Sequence, residues 1–240
     1  MFKELGLYLA DKLASSIVFR LPRRIFGHSL NSLLGAMHWE IQPQLQHGTF
    51  SDLISEIREE VELTMPDSAV VRVYLLALIC ADKSAEMAEV GVYQGGSARL
   101  ICEAKGDTPL HLFDTFEGHP EVSDIDKPFY EKGQLKASLE RVQQYLAEYK
   151  NVYFHKGVFP VTAEPVENKR FSFVHLDVDL YESTLDGLGF FYPRMDKGGV
   201  IISHDYPAQP GVKKAFDDFF QDKPEPVMRI SGNQALVVRM

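Results

Sequence analysis

From about residue 86 onward the chain alternates short β-rich runs with stretches of helical periodicity, and that alternation leaves few folds open to it. The β runs fall at residues 85–92 (AEMAEVGV), 110–115 (LHLFDT), 152–157 (VYFHKG), 171–178 (FSFVHLDV) and 199–205 (GVIISHD). Between them one helical pattern carries Leu135, Leu139, Val142 and Leu146, a second Tyr181, Leu185, Leu188 and Tyr192, and a third spans GVKKAFDDFFQD. Strands joined by helical crossovers pair in parallel, with helices covering both faces of the sheet. Two closing runs, PVMRI and ALVVR, are separated only by SGNQ and can form an antiparallel hairpin. The expectation is an α/β fold: a doubly wound, mainly parallel, Rossmann-like sheet of seven strands whose last strand is antiparallel. In such a sheet ligands sit beyond the carboxyl ends of the strands.

Residues 1–84 read as a helical extension and residues 85–240 as the sheet domain. Residues 51–63 form an acidic amphipathic helix, and residues 67–81 a helix apolar on nearly all sides and therefore buried. At the amino end Leu5, Leu9, Leu13, Ile17 and Leu21 share one helical stripe, and residues 1–27 hold five bases against two acids, a local +3. That stripe suits packing on the body of the protein or on a second subunit, and equally an anionic membrane surface. Glu4, Asp11 and Lys12 interrupt any signal-peptide core. The longest apolar run, YLLALIC, is far short of the about 20 residues that cross a bilayer.

The net charge of −9 argues against nucleic acid, whose binding needs a basic stripe. With 2 cysteines, both in apolar runs, neither a disulfide framework nor a sulfur-bound zinc site can form, and a reducing, cytoplasmic location is expected.

The first strand runs into EVGVYQGGSA, after which a helix begins. Gly91, Gly95 and Gly96 permit a tight turn and close approach of a ligand, and Ser97 opens a helix whose free N–H groups face the same way. A pyrophosphate-bearing dinucleotide favours glycine at 91, 93 and 96, but position 93 is Tyr93. The ring does no harm to a nucleoside without pyrophosphate, such as S-adenosylmethionine, and Glu89 offers a carboxylate to that cofactor's cationic methionine portion. The second strand ends at Asp114, Thr115 and Phe116, with the acid about 20 residues past the glycines, the distance at which a carboxylate grips ribose hydroxyls. Phe116 can wall an adenine or simply pack. Gly157 and Phe159, after the third strand, occupy the next position on the same rim.

The fourth and fifth strands end in acids: Asp177 and Asp179 on one, His204 and Asp205 on the next. Carboxylates at adjacent buried strand tips repel unless a cation or proton neutralises them, and Asp177, His204 and Asp205 together offer one nitrogen and at least two oxygens to a divalent metal. His204 reads either as a ligand or as a strand-end histidine hydrogen-bonded to its neighbours. Asp179 with Glu182 also reads as a capping box for the following helix. His175 is expected to face packing, and residues 118–133, long and without period, to form a lid or a solvated loop.

AEVGVYQGGSA, LFDTFEG, GVFP, FVHLDVDLYESTLDGLGFFYPRMDKGGVIISHDY and PGVKKAFDDFF, in this order from about residue 86 to residue 220, resemble the successive motifs of the macrocin O-methyltransferase family, sugar methyltransferases of macrolide and aminocoumarin biosynthesis. The resemblance implies a class I methyltransferase fold over residues 85–240, S-adenosylmethionine as methyl donor, a divalent metal usually taken as magnesium, and methylation of a hydroxyl on a sugar or glycosylated small molecule. It places the family's metal-binding and proposed base aspartate on Asp177, and its paired strand-five acids on His204 and Asp205. The family carries Asp-Asp where this chain has His-Asp, and imidazole makes magnesium less favoured than manganese, iron, nickel or zinc. Asp177, with metal-free His204 as the rival base, is the expected catalytic group. A catechol-type metal-dependent O-methyltransferase shares the fold, but no lysine follows Asp177 where such enzymes place their base. A catalytically silent S-adenosylmethionine-binding protein is the alternative of a different class. A homo-oligomer, a dimer or higher, is also expected.

Overall fold

A computed structural model describes residues 50–81 and 84–240. The amino-terminal stripe from Leu5 to Leu21 lies outside the described residues. Two helices come first, α1 (Phe50–Glu60) and α2 (Asp67–Cys80), followed by β1 (Glu86–Val90), α3 (Gly96–Lys105) and β2 (Leu110–Asp114). Then come a short helix α4 (Leu139–Tyr145), β3 (Val152–Lys156), a 3-10 segment (Val161–Val166) and β4 (Phe171–Leu176). The remainder is α5 (Tyr181–Phe191), β5 (Met195–Ser203), α6 (Pro210–Phe220), β6 (Met228–Ile230) and β7 (Gln234–Val238).

The seven strands form one sheet in the order β3-β2-β1-β4-β5-β7-β6. The pairs β1–β2, β1–β4, β2–β3 and β4–β5 are parallel, whereas β7 runs antiparallel to both β5 and β6. The chain winds outward from β1 to β3, returns to β4 on the other side of β1, and winds outward again. The strand order therefore switches between β1 and β4, and a crevice opens there. β4 is buried along its whole length (FSFVHL), as expected of a strand covered on both faces.

Two apolar layers hold the sheet. On one face α1, α2 and α3 bury Leu53, Ile57, Leu75 and Leu100 against Met87, Leu112 and Phe173. On the other, α5 and α6 bury Leu188, Phe191, Val212 and Phe216 against Val90, Phe113 and Val174. Burying each such side chain contributes about 1.5–3 kcal/mol. Residues 50–80 thus share one core with the sheet.

The helical pattern from Leu135 to Leu146 is shorter than the spacing predicts. Leu135 has φ +59°, outside helical space, and α4 starts only after Ser138, whose hydroxyl accepts the Arg141 N–H at 3.3 Å. At the switch point Gly91 (φ +88°) lies against the tip of β4: a Cβ there would stand 1.8 Å from the carbonyl oxygen of Asp177. Only glycine lets these two backbones meet.

Candidate active site

The glycine turn after β1 is held by the end of β2. Asp114 Oδ2 accepts the N–H groups of Val92 and Tyr93 at 2.8 and 2.9 Å, and Oδ1 accepts that of Phe116 at 2.6 Å. These three bonds fix the backbone on both sides of the crevice and leave part of the carboxylate's acceptor capacity free for a ligand. The crevice is open to solvent and lies at the carboxyl ends of the central strands, where small-molecule sites of such sheets form. Of the residues singled out from sequence, Gly91, Tyr93, Asp114, Thr115, Gly157, Phe159, Asp177 and Asp179 line it. Phe159 backs the wall, crossing Phe113 edge-on at 5.2 Å and stacking on Phe191 at 5.4 Å.

Other candidates lie elsewhere. Glu89 is wholly buried beneath the turn, where its Oε1 sits 2.8 Å from His175 Nδ1. Burial pushes its carboxyl up against the opposing pull of His175 and Ser97. His175 is likewise fully buried, as its place in the strand predicts. Gly95 caps α3, Gly96 packs on Leu63 and Ile57, and Ser97 sits in the first turn, none of them on the crevice wall. Phe116, 1% exposed, faces a second, open cleft that also borders Lys136, Arg141, Tyr145 and Lys156.

The strand tips do converge. Asp177, His204 and Asp205 each offer one ligand atom within 4.8 Å of the others. Both β4 and β5 stop just short of these residues, at Leu176 and Ser203, and the His204 N–H donates to the Leu176 carbonyl at 3.0 Å. His204 Nδ1 stands 3.4 Å from Asp177 Oδ1 and 3.1 Å from Asp205 Oδ2. Burial opposes the charge of the imidazole, but the two carboxylates outweigh it and raise His204 to about 10. Asp177 is lowered in turn: burial works against ionisation, and the charge and hydrogen bond of His204 prevail. Donor atoms of a single divalent ion lie about 2.0–2.6 Å from it, which puts them no more than roughly 5 Å apart. The three side chains fit such an ion, which would replace the imidazole proton.

Asp179 is not the helix cap that the D-L-Y-E pattern predicts. It adopts φ +62°, α5 begins after Leu180 with no side-chain cap of its own, and the Tyr181 N–H is taken at 2.9 Å by Oδ2 of Asp126. Freed from capping, the Asp179 carboxylate turns to the crevice, where Tyr130 donates its hydroxyl to Oδ1 at 2.9 Å and His119 Nε2 lies 3.3 Å from Oδ2. Burial first, and then the charges of Asp177 and Asp205, push Asp179 well above the usual carboxylate range. The 118–133 segment therefore supplies His119, Asp126 and Tyr130, none of which sequence patterning singled out. Only the i, i+4 spacing of Asp126 and Tyr130 hinted at a shared turn.

A seven-stranded sheet of this order, with a crevice at its switch point, defines a Rossmann-like class I methyltransferase fold. Solved structures agree: the O-methyltransferase NovP superposes with a TM-score of 0.67 at 20% identity, covering 91% of this chain and 100% of that one. The calicheamicin methyltransferase CalS11 gives 0.57 at 18% identity, covering 98% and 91%. The family model of macrocin-O-methyltransferase (TylF) matches residues 74–236, and the chain belongs to that family. Among curated relatives, 8-demethyl-8-(2,3-dimethoxy-alpha-L-rhamnosyl)-tetracenomycin-C 4'-O-methyltransferase of Streptomyces olivaceus is 35% identical over 55% of this chain and 58% of its own length. Mycinamicin III 3''-O-methyltransferase of Micromonospora griseorubida is 32% identical over 50% and 55%. The chain thus spans under three fifths of the length of the curated relatives it matches.

Proposed function

We propose that this protein is an O-methyltransferase that moves the methyl group of S-adenosylmethionine to a hydroxyl of a sugar or glycosylated small molecule, with a divalent cation at Asp177, His204 and Asp205. The observation that carries the reading is the placement of the Asp177–His204–Asp205 cluster directly beside a crevice floored by Gly91 and Asp114. The name of the Streptomyces olivaceus relative, an O-methyltransferase of a rhamnosyl-bearing tetracenomycin, supports the acceptor class.

In this reading Asp114 accepts a ribose hydroxyl with its remaining lone pairs, while Gly157 and Phe159 flank the base. The acceptor oxygen attacks the methyl carbon, the carbon–sulfur bond breaks, and its electron pair returns to sulfur, leaving neutral S-adenosylhomocysteine. A sugar hydroxyl holds its proton far above pH 7, so that proton must be taken during the transfer. A bound divalent cation supplies positive charge for the developing alkoxide. Metal-free His204 makes a poor rival base, because the carboxylates beside it keep it protonated at neutral pH. Asp177 and Asp179 both line the crevice, and Asp179, which lies outside the ligand cluster, is the carboxylate placed to face the acceptor hydroxyl.

The free cysteines Cys80 and Cys102 fit a reducing, cytoplasmic setting, and no helix among the described residues is long and apolar enough to cross a membrane. The deciding experiment is methyl transfer from S-adenosylmethionine to a panel of glycosides, with and without added divalent cations, beside calorimetry with S-adenosylmethionine and NAD. Binding of NAD in preference to S-adenosylmethionine would refute the reading.

A further inference from the structure

The 118–134 segment is fastened at three places. Its neck is closed by two backbone bonds, His119 N–H to Gln134 O at 2.8 Å and Gly133 N–H to His119 O at 2.9 Å. Its middle forms a single helical turn in which the N–H groups of Phe129 and Tyr130 donate to the Asp126 carbonyl at 2.9 and 3.0 Å. The Asp126 side chain, 2% exposed, accepts from Ser123 Oγ at 2.7 Å and from the Tyr181 N–H at 2.9 Å. It also presses on Gly211 at the start of α6, where a Cβ would meet its Oδ1 at 1.9 Å.

Both ends of that turn grip the same short piece of chain. Asp126 holds residue 181 by its N–H, and Tyr130 holds residue 179 by its carboxylate. Between them Leu180 is buried at 2% exposure. Asp179 itself sits at φ +62°, a conformation that disfavours any residue with a Cβ, so its backbone geometry needs support from its surroundings. The ring of Tyr130 is backed in turn by His119, with centroids 5.0 Å apart.

We infer that Tyr130 is a positioning residue for methyl transfer: the turn from Asp126 to Tyr130 brackets residues 179–181 and aims the Asp179 carboxylate at the acceptor hydroxyl. The inference rests on the proposed function, in which the acceptor meets the crevice wall that Asp179 lines. Tyr130 is not among the residues that line the crevice; it acts through Asp179. The 118–134 segment is anchored through Asp126 on α5 and α6, on the body of the fold.

Tyr130→Phe keeps the ring and its packing on His119 and removes only the hydroxyl. Crystals of wild type and Tyr130→Phe, each soaked with S-adenosylhomocysteine, read the geometry directly. The Asp179 carboxylate is expected to leave its wild-type position in the variant by about 1 Å, a displacement of the size that can cost roughly 10²-fold in rate. An unmoved carboxylate overturns the inference, whatever the activity. Kinetics on a glycoside that the wild type methylates should show kcat reduced about 10- to 100-fold in Tyr130→Phe, with KM for both substrates within about twofold. A change confined to KM also overturns it, because loss of aim lowers kcat. If the wild type methylates no glycoside, the functional assignment fails while the crystal comparison still decides whether Tyr130 places Asp179.

Discussion

His204 Nδ1 lies 3.4 Å from Asp177 Oδ1, at the tips of two adjacent parallel strands, with Asp205 closing the group at 3.1 Å. The imidazole carries a proton there because two carboxylates hold it. A divalent ion entering among the three side chains must expel that proton, so cation binding and proton release are the same event.

Cation affinity should therefore rise with pH through the neutral range and level off only near pH 10, where His204 titrates. The sign follows from competition: below that pH the proton occupies the nitrogen that the ion needs. Calorimetry with manganese or zinc in two buffers of different ionisation enthalpy should reveal the released proton. His204→Asp removes the competing proton and substitutes a hard oxygen, and should move preference toward magnesium while flattening the pH dependence. An unchanged metal profile in that variant would show that His204 is not a ligand.

Asp177→Ala should abolish turnover and leave S-adenosylmethionine affinity within about threefold, because the side chain serves the reacting oxygen and not the nucleoside. Asp179→Asn should also lower kcat strongly, but with divalent-ion affinity largely retained, since Asp179 lies outside the ligand cluster. Comparing ion binding of the two variants by calorimetry separates their roles. Full activity in Asp177→Ala would contradict the proposed site.

The strands were legible because β4 and its neighbours are continuous apolar runs ending in acids, a pattern that periodicity reads well. The glycine turn and Asp114 were legible for the same reason, since their chemistry sits at fixed offsets from strand ends. Asp179 was misread as a cap because the D-L-Y-E spacing satisfies a local rule, whereas the N–H it would have capped is claimed by Asp126, 55 positions away. Tyr130 was missed for a related reason: its partner Asp179 lies 49 residues along the chain, and no local periodicity marks such a contact. Glu89 was assigned to the ligand from its position at a strand end, but the alternation of side chains along β1 turns it to the α3 face, beside His175.

Gly91→Ala should be the most damaging single methyl addition at this site. The new Cβ would need to stand where the Asp177 carbonyl oxygen already lies, 1.8 Å away, at φ +88°. Separating β1 from β4 to make room breaks the Asp177 N–H to Val90 O bond of 2.9 Å. The expected loss is more than about 3 kcal/mol, among the larger effects seen for point substitutions. Urea denaturation followed by tyrosine fluorescence measures it, and a loss under about 1 kcal/mol would mean that the strand tips are looser than this contact implies.

His111 and His155 stack at 5.2 Å on neighbouring strands, with His111 Nδ1 3.0 Å from His155 Nε2 and His111 Nε2 2.6 Å from Glu86 Oε2. Burial, and then the positive charge of His111, depress His155 to about 4; burial also lowers His111, against the pull of Glu86. In the unfolded chain both imidazoles bind protons near pH 6.5, so between about pH 6.5 and 4 the unfolded state takes up protons that the native state refuses. Stability due to these groups is complete above pH 6.5 and declines as the pH falls toward 4. Guanidinium denaturation midpoints at pH 7.5 and pH 5 should differ accordingly in the wild type. The difference should shrink in His155→Gln, which keeps a polar side chain of similar size but cannot be charged. A pH dependence identical in the two proteins would mean that His155 accepts its proton in the folded sheet as readily as in the unfolded chain.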